Sequence, residues 1–260
     1  MPEGCKSIAG LIATMAVAGC AARTPGPTDA TPCPDVAGSE IERVCREERS
    51  IRTLQARFRA DVVVDGETQS TDGVLLVRRP DALRVKMFGV GGMTVHDALW
   101  VGDATGVRGR IERPLSGDPI DVRLAPGEGA PAEPEAGLSL LLWFLWRPRC
   151  ASEPTPVGSE PGWLRLDPDS AHALARDVRV GALGVDEERI VLAGARPDEV
   201  VVRYAARDCG STGLLPRRIE MTSRERGWHA TVRILDQEEN VALDDGLFVL
   251  PSARAVRRPR

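Results

Sequence analysis

From Ala56 to Val64 every second residue is apolar: Ala56, Phe58, Ala60, Val62 and Val64 alternate with Arg57, Arg59, Asp61 and Val63. A period of two places the first set on one face of a pleated strand, so the chain must build a sheet with one dry and one wetter face. Asp65-Gly66 follows, a dipeptide suited to a two-residue hairpin. The plan then repeats. Strands are predicted around Gly73–Arg78, over Leu83–Met87 after a turn at Arg79-Pro80-Asp81, from Met93 to Val101, and over Val107–Glu112. In the last of these Val107 and Ile111 oppose Arg108 and Arg110. Further strands are expected over 163–166, 190–193, 200–206, 217–222, 228–235 and 247–250. Short strands separated by turn signals indicate an antiparallel meander.

Two segments break the period. Residues Ser39 to Gln55 carry Ile41, Val44, Ile51 and Leu54 amid Arg and Glu, the pattern of a one-sided helix with Ser39 as its cap. Farther on, a Pro/Gly/Glu-rich loop over Pro126–Glu135 leads into Leu138–Trp146, where Leu138, Leu141, Leu142, Leu145 and Trp146 leave no polar face. Such a helix must be covered from all directions, and it is shorter than the roughly twenty residues a bilayer requires. A sheet of this size curls as it twists. The expected fold is therefore mainly β: a large curled antiparallel sheet, an unclosed half-barrel, with an N-terminal amphipathic helix and an apolar lid or plug helix.

The N-terminus reads differently. A short charged start at Lys6, an apolar run from Ile8 to Val17 and a small-residue site before Cys20 have the layout of a secretory signal. Val17-Ala18-Gly19-Cys20 resembles a lipobox, which implies diacylglycerol transfer to the Cys20 thiol, cleavage before it and acylation of the new amine. The expected division is signal peptide 1–19, lipidated Cys20 with a Pro-rich tether over 20–38, a β domain over 39–251 and a basic tail over 252–260. Several acyl chains hold far more firmly than one, at about 0.8 kcal/mol per buried CH₂. Ala21 after the cysteine favours the outer membrane by resemblance to the enterobacterial sorting rule, so the expected location is the cell envelope, facing the periplasm.

Cys5 leaves with the signal and Cys20 is spent on lipid, so Cys33, Cys45, Cys150 and Cys209 remain in an oxidising compartment. Four cysteines allow three pairings. Cys33 with Cys45 and Cys150 with Cys209 is preferred, because each pair sits near the edge of a predicted element. The isolated His96, His172 and His229 lack metal-ligand spacing, so no metal is expected. A net charge of −4 with interleaved signs offers no basic stripe, so nucleic acid is not an expected partner. Nucleophile elbows, HExxH and P-loops are missing from the sequence, and Gly210-Ser211-Thr212-Gly213 reads as a turn. Asp186-Glu187-Glu188 and Asp236-Gln237-Glu238-Glu239 are expected to be solvated turns. A non-enzymatic chain without a cofactor is the expectation.

The order of these features resembles the LolA/LolB-like superfamily of periplasmic lipoprotein carriers and outer-membrane receptors, especially the lipid-anchored LolB side. The resemblance is carried by Leu54-Gln55-Ala56-Arg57-Phe58, Arg79-Pro80-Asp81-Ala82-Leu83-Arg84, the stretch Phe88 to Met93, Arg147-Pro148 after the apolar helix and Leu247-Phe248-Val249-Leu250-Pro251. It implies an unclosed barrel that holds acyl chains of lipid or lipoprotein cargo beneath a helical lid, with a periplasmic carrier protein as partner. It also implies an apolar membrane-insertion loop, here Phe88 to Met93 with Phe88, Val90 and Met93 as its large residues. The protruding leucine of enterobacterial LolB is absent from that loop. Two other classes compete: an envelope sensor or interaction module with a filled cavity, and a hydrolase with acidic residues or His clustered in a cleft.

Overall fold

The structure is a computed structural model that describes residues 40–250, apart from 104–105, 116–117, 125–133, 147–153, 159, 167–172, 182–183, 193–196 and 210–213. Helix α1 (Glu40–Ser50) leads into strands β1 (Thr53–Val64), β2 (Glu67–Arg78), β3 (Ala82–Phe88), β4 (Thr94–Asp103), β5 (Gly106–Glu112) and β6 (Ile120–Leu124). Helix α2 (Pro134–Trp146) then precedes β7 (Thr155–Pro156), β8 (Trp163–Leu166), β9 (Ala173–Gly181), β10 (Gly184–Leu192), β11 (Asp198–Cys209), β12 (Leu214–Ser223) and β13 (Trp228–Glu239). The strands form one sheet in the order β6-β5-β4-β3-β2-β1-β13-β12-β11-β10-β9-β8-β7. Two antiparallel meanders thus meet where β1 pairs with β13, and β6 and β7 remain as free edges. The sheet is unclosed.

Its curl follows from burial. Laid flat, thirteen strands would span about 58 Å at ~4.8 Å per strand, whereas α2 is only about 20 Å long. Yet side chains on one face are buried from β5 to β11, among them Ile111, Trp100, Val85, Leu75, Phe58, Val232, Met221 and Val202. One short helix cannot cover them all, so the two halves of the sheet cover each other. The inward set on β1 is Leu54, Ala56, Phe58 and Ala60, as the alternation predicts. The Asp65-Gly66 turn has both residues at positive φ, 51° and 82°, the primed geometry that matches strand twist.

Two cross-strand pairs set the spacing inside the curve. Phe58 lies opposite Gly73 and Trp100 opposite Gly109. A Cβ at Gly109 would come within 2.5 Å of the Trp100 ring, and one at Gly73 would meet the Phe58 ring and, at 2.6 Å, the Lys86 carbonyl. Each ring therefore lies on bare backbone. Trp100 Nε1 donates to Ser139 Oγ at 3.0 Å in a fully buried contact, which seats α2 on β4. The described α2 side chains Leu138, Ser139, Leu140, Leu141, Leu142, Leu145 and Trp146 are all buried, as a helix without a polar face requires.

Helix α1 packs its Val44 against Leu166, Val178 and Val185 at the β8–β10 end. Glu40 and Glu42 in its first turn and Arg49 in its last complement the helix dipole. On the outer face, Leu243, Leu247, Phe248 and Leu250 cover Leu76, Ala82 and Leu99.

The structure corrects several expectations. Helix α1 ends at Ser50, and Ile51 and Leu54 belong to the approach to β1 and to β1 itself. Helix α2 starts at Pro134, so Pro134 and Glu135 are helical; proline at a first helical position fits, since the lost N–H has no intrahelical partner there. Asp186-Glu187-Glu188 is no turn but part of β10, where the fully buried Glu188 pairs with Arg176 at 3.3 Å and Glu187 with Arg179 at 3.2 Å. Asp236–Glu239 pairs with β1 as the end of β13. The expected final strand is instead a 3₁₀ turn over Asp245–Phe248, closed by Asp244 accepting from the Gly246 N–H at 2.8 Å.

Candidate functional site

At one end of the concave face the β1–β2 hairpin outruns β3, because Glu67–Thr71 pair with β1 alone while β3 pairing begins at Asp72. Beneath this overhang lies a cleft of about 720 Å³. Val62 and Val64 of β1 and Met87 of β3 give it an apolar wall, joined by Val95 and by Leu138 from α2. Gln69, Ser70 and Thr71 line it from β2, and Asp65 and Glu67 stand at the hairpin tip. Phe88, Gly89, His96 and Arg113 complete it. The volume falls within the roughly 300–1,000 Å³ of ordinary small-molecule sites, and the lining divides about evenly between apolar and polar side chains.

The Phe88–Met93 loop forms part of the rim. Gly89 N–H donates to Met93 O at 2.8 Å and Gly92 N–H to Gly89 O at 3.1 Å, with Gly91 and Gly92 at φ of 74° and 77°. Such positive φ is reached without strain only by glycine. The turn puts Val90 at the tip, 92% exposed, with Met93 at 56%, and Phe88 at its start is among the residues lining the cleft.

Of the described α2 residues named from the sequence, Leu138 lines the cleft; Leu141, Leu142, Leu145 and Trp146 instead pack into the main core. Cys45 is disulfide-bonded. The Cys20, Cys33 and Cys150 positions lie outside the described residues, as does the Cys209 side chain, and so do His172, Ser211 and the tail over 252–260. His229 sits on the outer face between Thr222 and Thr231, its ring nitrogens 3.0 and 3.3 Å from their hydroxyls. Among the described residues no three His, Cys, Asp or Glu side chains are placed to hold a metal, and no described helix is long and apolar enough to cross a membrane.

Of the polar half of the cleft, Gln69, Thr71 and Arg113 were not singled out from the sequence, and His96 was named there only as an isolated histidine without metal-ligand spacing. A signal was there: Glu67–Asp72 is polar at every position, so this stretch of strand lacks a dry face and marks the end of the packed interior.

No protein-family model matches the sequence, and no curated protein does. Solved structures do match. A DUF1329 family protein from Desulfovibrio piger aligns over 81% of this chain and 95% of its own at a TM-score of 0.59 and 7% identity. A protein domain from Vibrio parahaemolyticus, described as outer membrane lipoprotein-sorting, aligns over 80% and 95% at 0.57 and 10% identity. A LolA superfamily protein from Nitrosomonas europaea aligns over 84% and 99% at 0.54 and 15% identity. The chain shares the fold of these three structures, one of them a LolA superfamily protein. The β1–β2 hairpin, the β3–β4 loop and the start of α2 surround the cleft, which is the mouth of this curled sheet.

Proposed function

We propose that this chain is a lipid-anchored, non-enzymatic envelope protein that binds acyl chains of lipids or lipoproteins in the mouth of its LolA-like half-barrel and serves lipoprotein localisation or insertion at the outer membrane. The observation that carries the reading is the cleft itself, whose Val62, Val64, Met87, Val95 and Leu138 wall lies beside a loop exposing Val90 and Met93. Ten methylenes leaving water offer about 8 kcal/mol, enough for micromolar binding after a few kcal/mol of ordering cost. Anchoring through Cys20 would hold the mouth near the bilayer, where Phe88, Val90 and Met93 make lipid contact, and a periplasmic carrier would deliver the cargo.

A fluorescent fatty acid or a lipopeptide, titrated into full-length chain carrying Cys20→Ser, tests the binding. Saturable micromolar affinity is expected; no binding at millimolar ligand overturns the reading. Palmitate labelling tests the anchor: Cys20→Ser should abolish the label, and persistent label refutes it.

A second reading, an envelope sensor or interaction module on the same fold, is favoured by the packing of Leu141, Leu142, Leu145 and Trp146 into the core, which fills the interior behind the mouth. It predicts a folded protein that captures an envelope partner and binds no lipid.

A further inference from the structure

We infer that the cleft selects amphiphiles bearing an anionic oxygen group, a carboxylate or phosphate, and that Arg113 is the residue that recognises it. The inference rests on the acyl-chain reading and adds the chemistry of the head. Strand β5 turns Val107, Gly109 and Ile111 toward the concave face, and Arg113 continues that parity just past the strand's end. Its side chain lines the cleft. Arg113 Nη2 is buried and finds no hydrogen-bond partner.

Elsewhere the chain supplies carboxylates to its arginines: Arg84 holds both Asp97 oxygens at 2.8 Å and Arg110 holds Glu112 and Asp121. Arg176 also has a buried Nε without an acceptor, but its Nη2 is held by Glu188 at 3.3 Å. Burying a guanidinium nitrogen without an acceptor is costly, so a structure that keeps one facing a cleft is suited to an acceptor from outside. A planar fork of N–H donors matches the paired oxygens of a carboxylate or phosphate. Asp65 and Glu67 are the acidic side chains lining the same cleft, and both are exposed at the hairpin tip, where solvent and salt screen them. His96, also in the lining, is a second polar contact for the head, while Val62, Met87 and Leu138 take the chain.

Calorimetric titration of full-length chain carrying Cys20→Ser with dodecanoate, dodecan-1-ol, acetate and inorganic phosphate separates head from tail. Dodecanoate should bind about tenfold more tightly than dodecan-1-ol, the scale of one charge-assisted hydrogen bond. Arg113→Gln should bring dodecanoate affinity down to that for dodecan-1-ol measured on the same variant, and Arg113→Lys should keep part of the preference. Equal affinity for acid and alcohol in the Arg113 protein overturns the inference and spares the acyl-chain reading. So does a preference that survives Arg113→Gln. Acetate or phosphate binding as tightly as dodecanoate keeps Arg113 as an anion site but sinks the acyl-chain reading, and no binding by any probe sinks both. Should Arg113→Gln fail to fold by circular dichroism, the acid-against-alcohol comparison and Arg113→Lys still decide.

Discussion

Arg79 Nε donates to the carbonyl oxygen of Trp146 at 3.1 Å, and its Nη1 donates to the carbonyl of Glu48, so one guanidinium joins the C-terminal ends of both helices. Those carbonyls belong to last turns that have no intrahelical donor, and the positive charge also complements two helix dipoles. The Arg79 backbone N–H donates to Arg52 O at 2.8 Å, which fixes the side chain's origin beside the start of β1.

Replacing this link should be felt as stability. Arg79→Ala is expected to lower the unfolding free energy by about 2–3 kcal/mol, the scale of buried hydrogen bonds from a charged donor. Arg79→Lys should restore only part, because a single ammonium cannot reproduce a fork reaching two separate carbonyls. Urea unfolding would measure both. A loss for Arg79→Ala under about 0.5 kcal/mol, ordinary for a surface change, would refute the role.

A Cβ at Gly109 would collide with the Trp100 side chain, whereas one at Gly73 would collide with both the Phe58 ring and the Lys86 backbone oxygen. Gly109→Ala should therefore cost about 1–3 kcal/mol through overpacking, and combining it with Trp100→Leu should cost less than the sum of the two single changes. Gly73→Ala combined with Phe58→Leu should show a weaker rescue, since the backbone oxygen remains. Additive losses in the Gly109 and Trp100 cycle would show that the ring can move aside.

How far the sequence predicted this molecule depended on whether the deciding contacts were local. The β1 alternation and the Asp65-Gly66 turn are local, and both are as expected. The end of α1 was misplaced because Leu54 is three residues after Ile51 and two before Ala56, so it satisfies the helical and the strand period at once. The acidic run over 186–188 reads as solvated until Arg176 and Arg179 arrive from the neighbouring strand. The C-terminal residues 247–250 are apolar because they cover the outer face, a role that one segment's periodicity cannot distinguish from a strand. Within the cleft, Leu138 and Phe88 were legible as apolar residues beside predicted breaks. Arg113 was not, since only the curl of the sheet brings it to Leu138 and Val62.

Outer-face charges give the domain an acid dependence of known sign. The Ser70 hydroxyl, donating to Asp61 at 2.7 Å, and then the Arg233 guanidinium hold the Asp61 carboxyl below its ordinary range. Asp72 is lowered by the hydrogen bond and charge of Arg59. A depressed carboxyl contributes stability that is present above the unfolded value, about pH 3.9 for Asp, and is lost as pH falls through the folded value. Stability should therefore decline below about pH 4 and do so less steeply in Asp61→Asn with Asp72→Asn. Added salt should weaken the effect, because the pairs are exposed. Denaturant unfolding at a series of pH values would check the slope, and identical slopes in the variant and the parent chain would exclude these two carboxylates as its source.

Leu138 and Leu142 are one helical turn apart on α2, but only Leu138 lines the cleft; Leu142 is 1% exposed in the core. A charge at the second position has no partner and no water, and an unpaired buried carboxylate costs several kcal/mol, a large share of the 5–15 kcal/mol that holds a domain together. Leu142→Glu should therefore unfold the protein or leave it severely destabilised, with loss of its β circular dichroism signal. Leu138→Gln places an amide where the cleft already offers Gln69, Thr71 and His96, so it should leave a folded domain. Its cost should appear in binding: removing an aliphatic contact of 1.5–3 kcal/mol weakens an acyl ligand by roughly 10- to 150-fold. Measuring thermal unfolding and fatty-acid affinity on both variants separates the cleft end of this helix face from its core end. A folded Leu142→Glu protein, or a Leu138→Gln protein that binds acyl chains as tightly as its parent, would contradict this division between core and cleft.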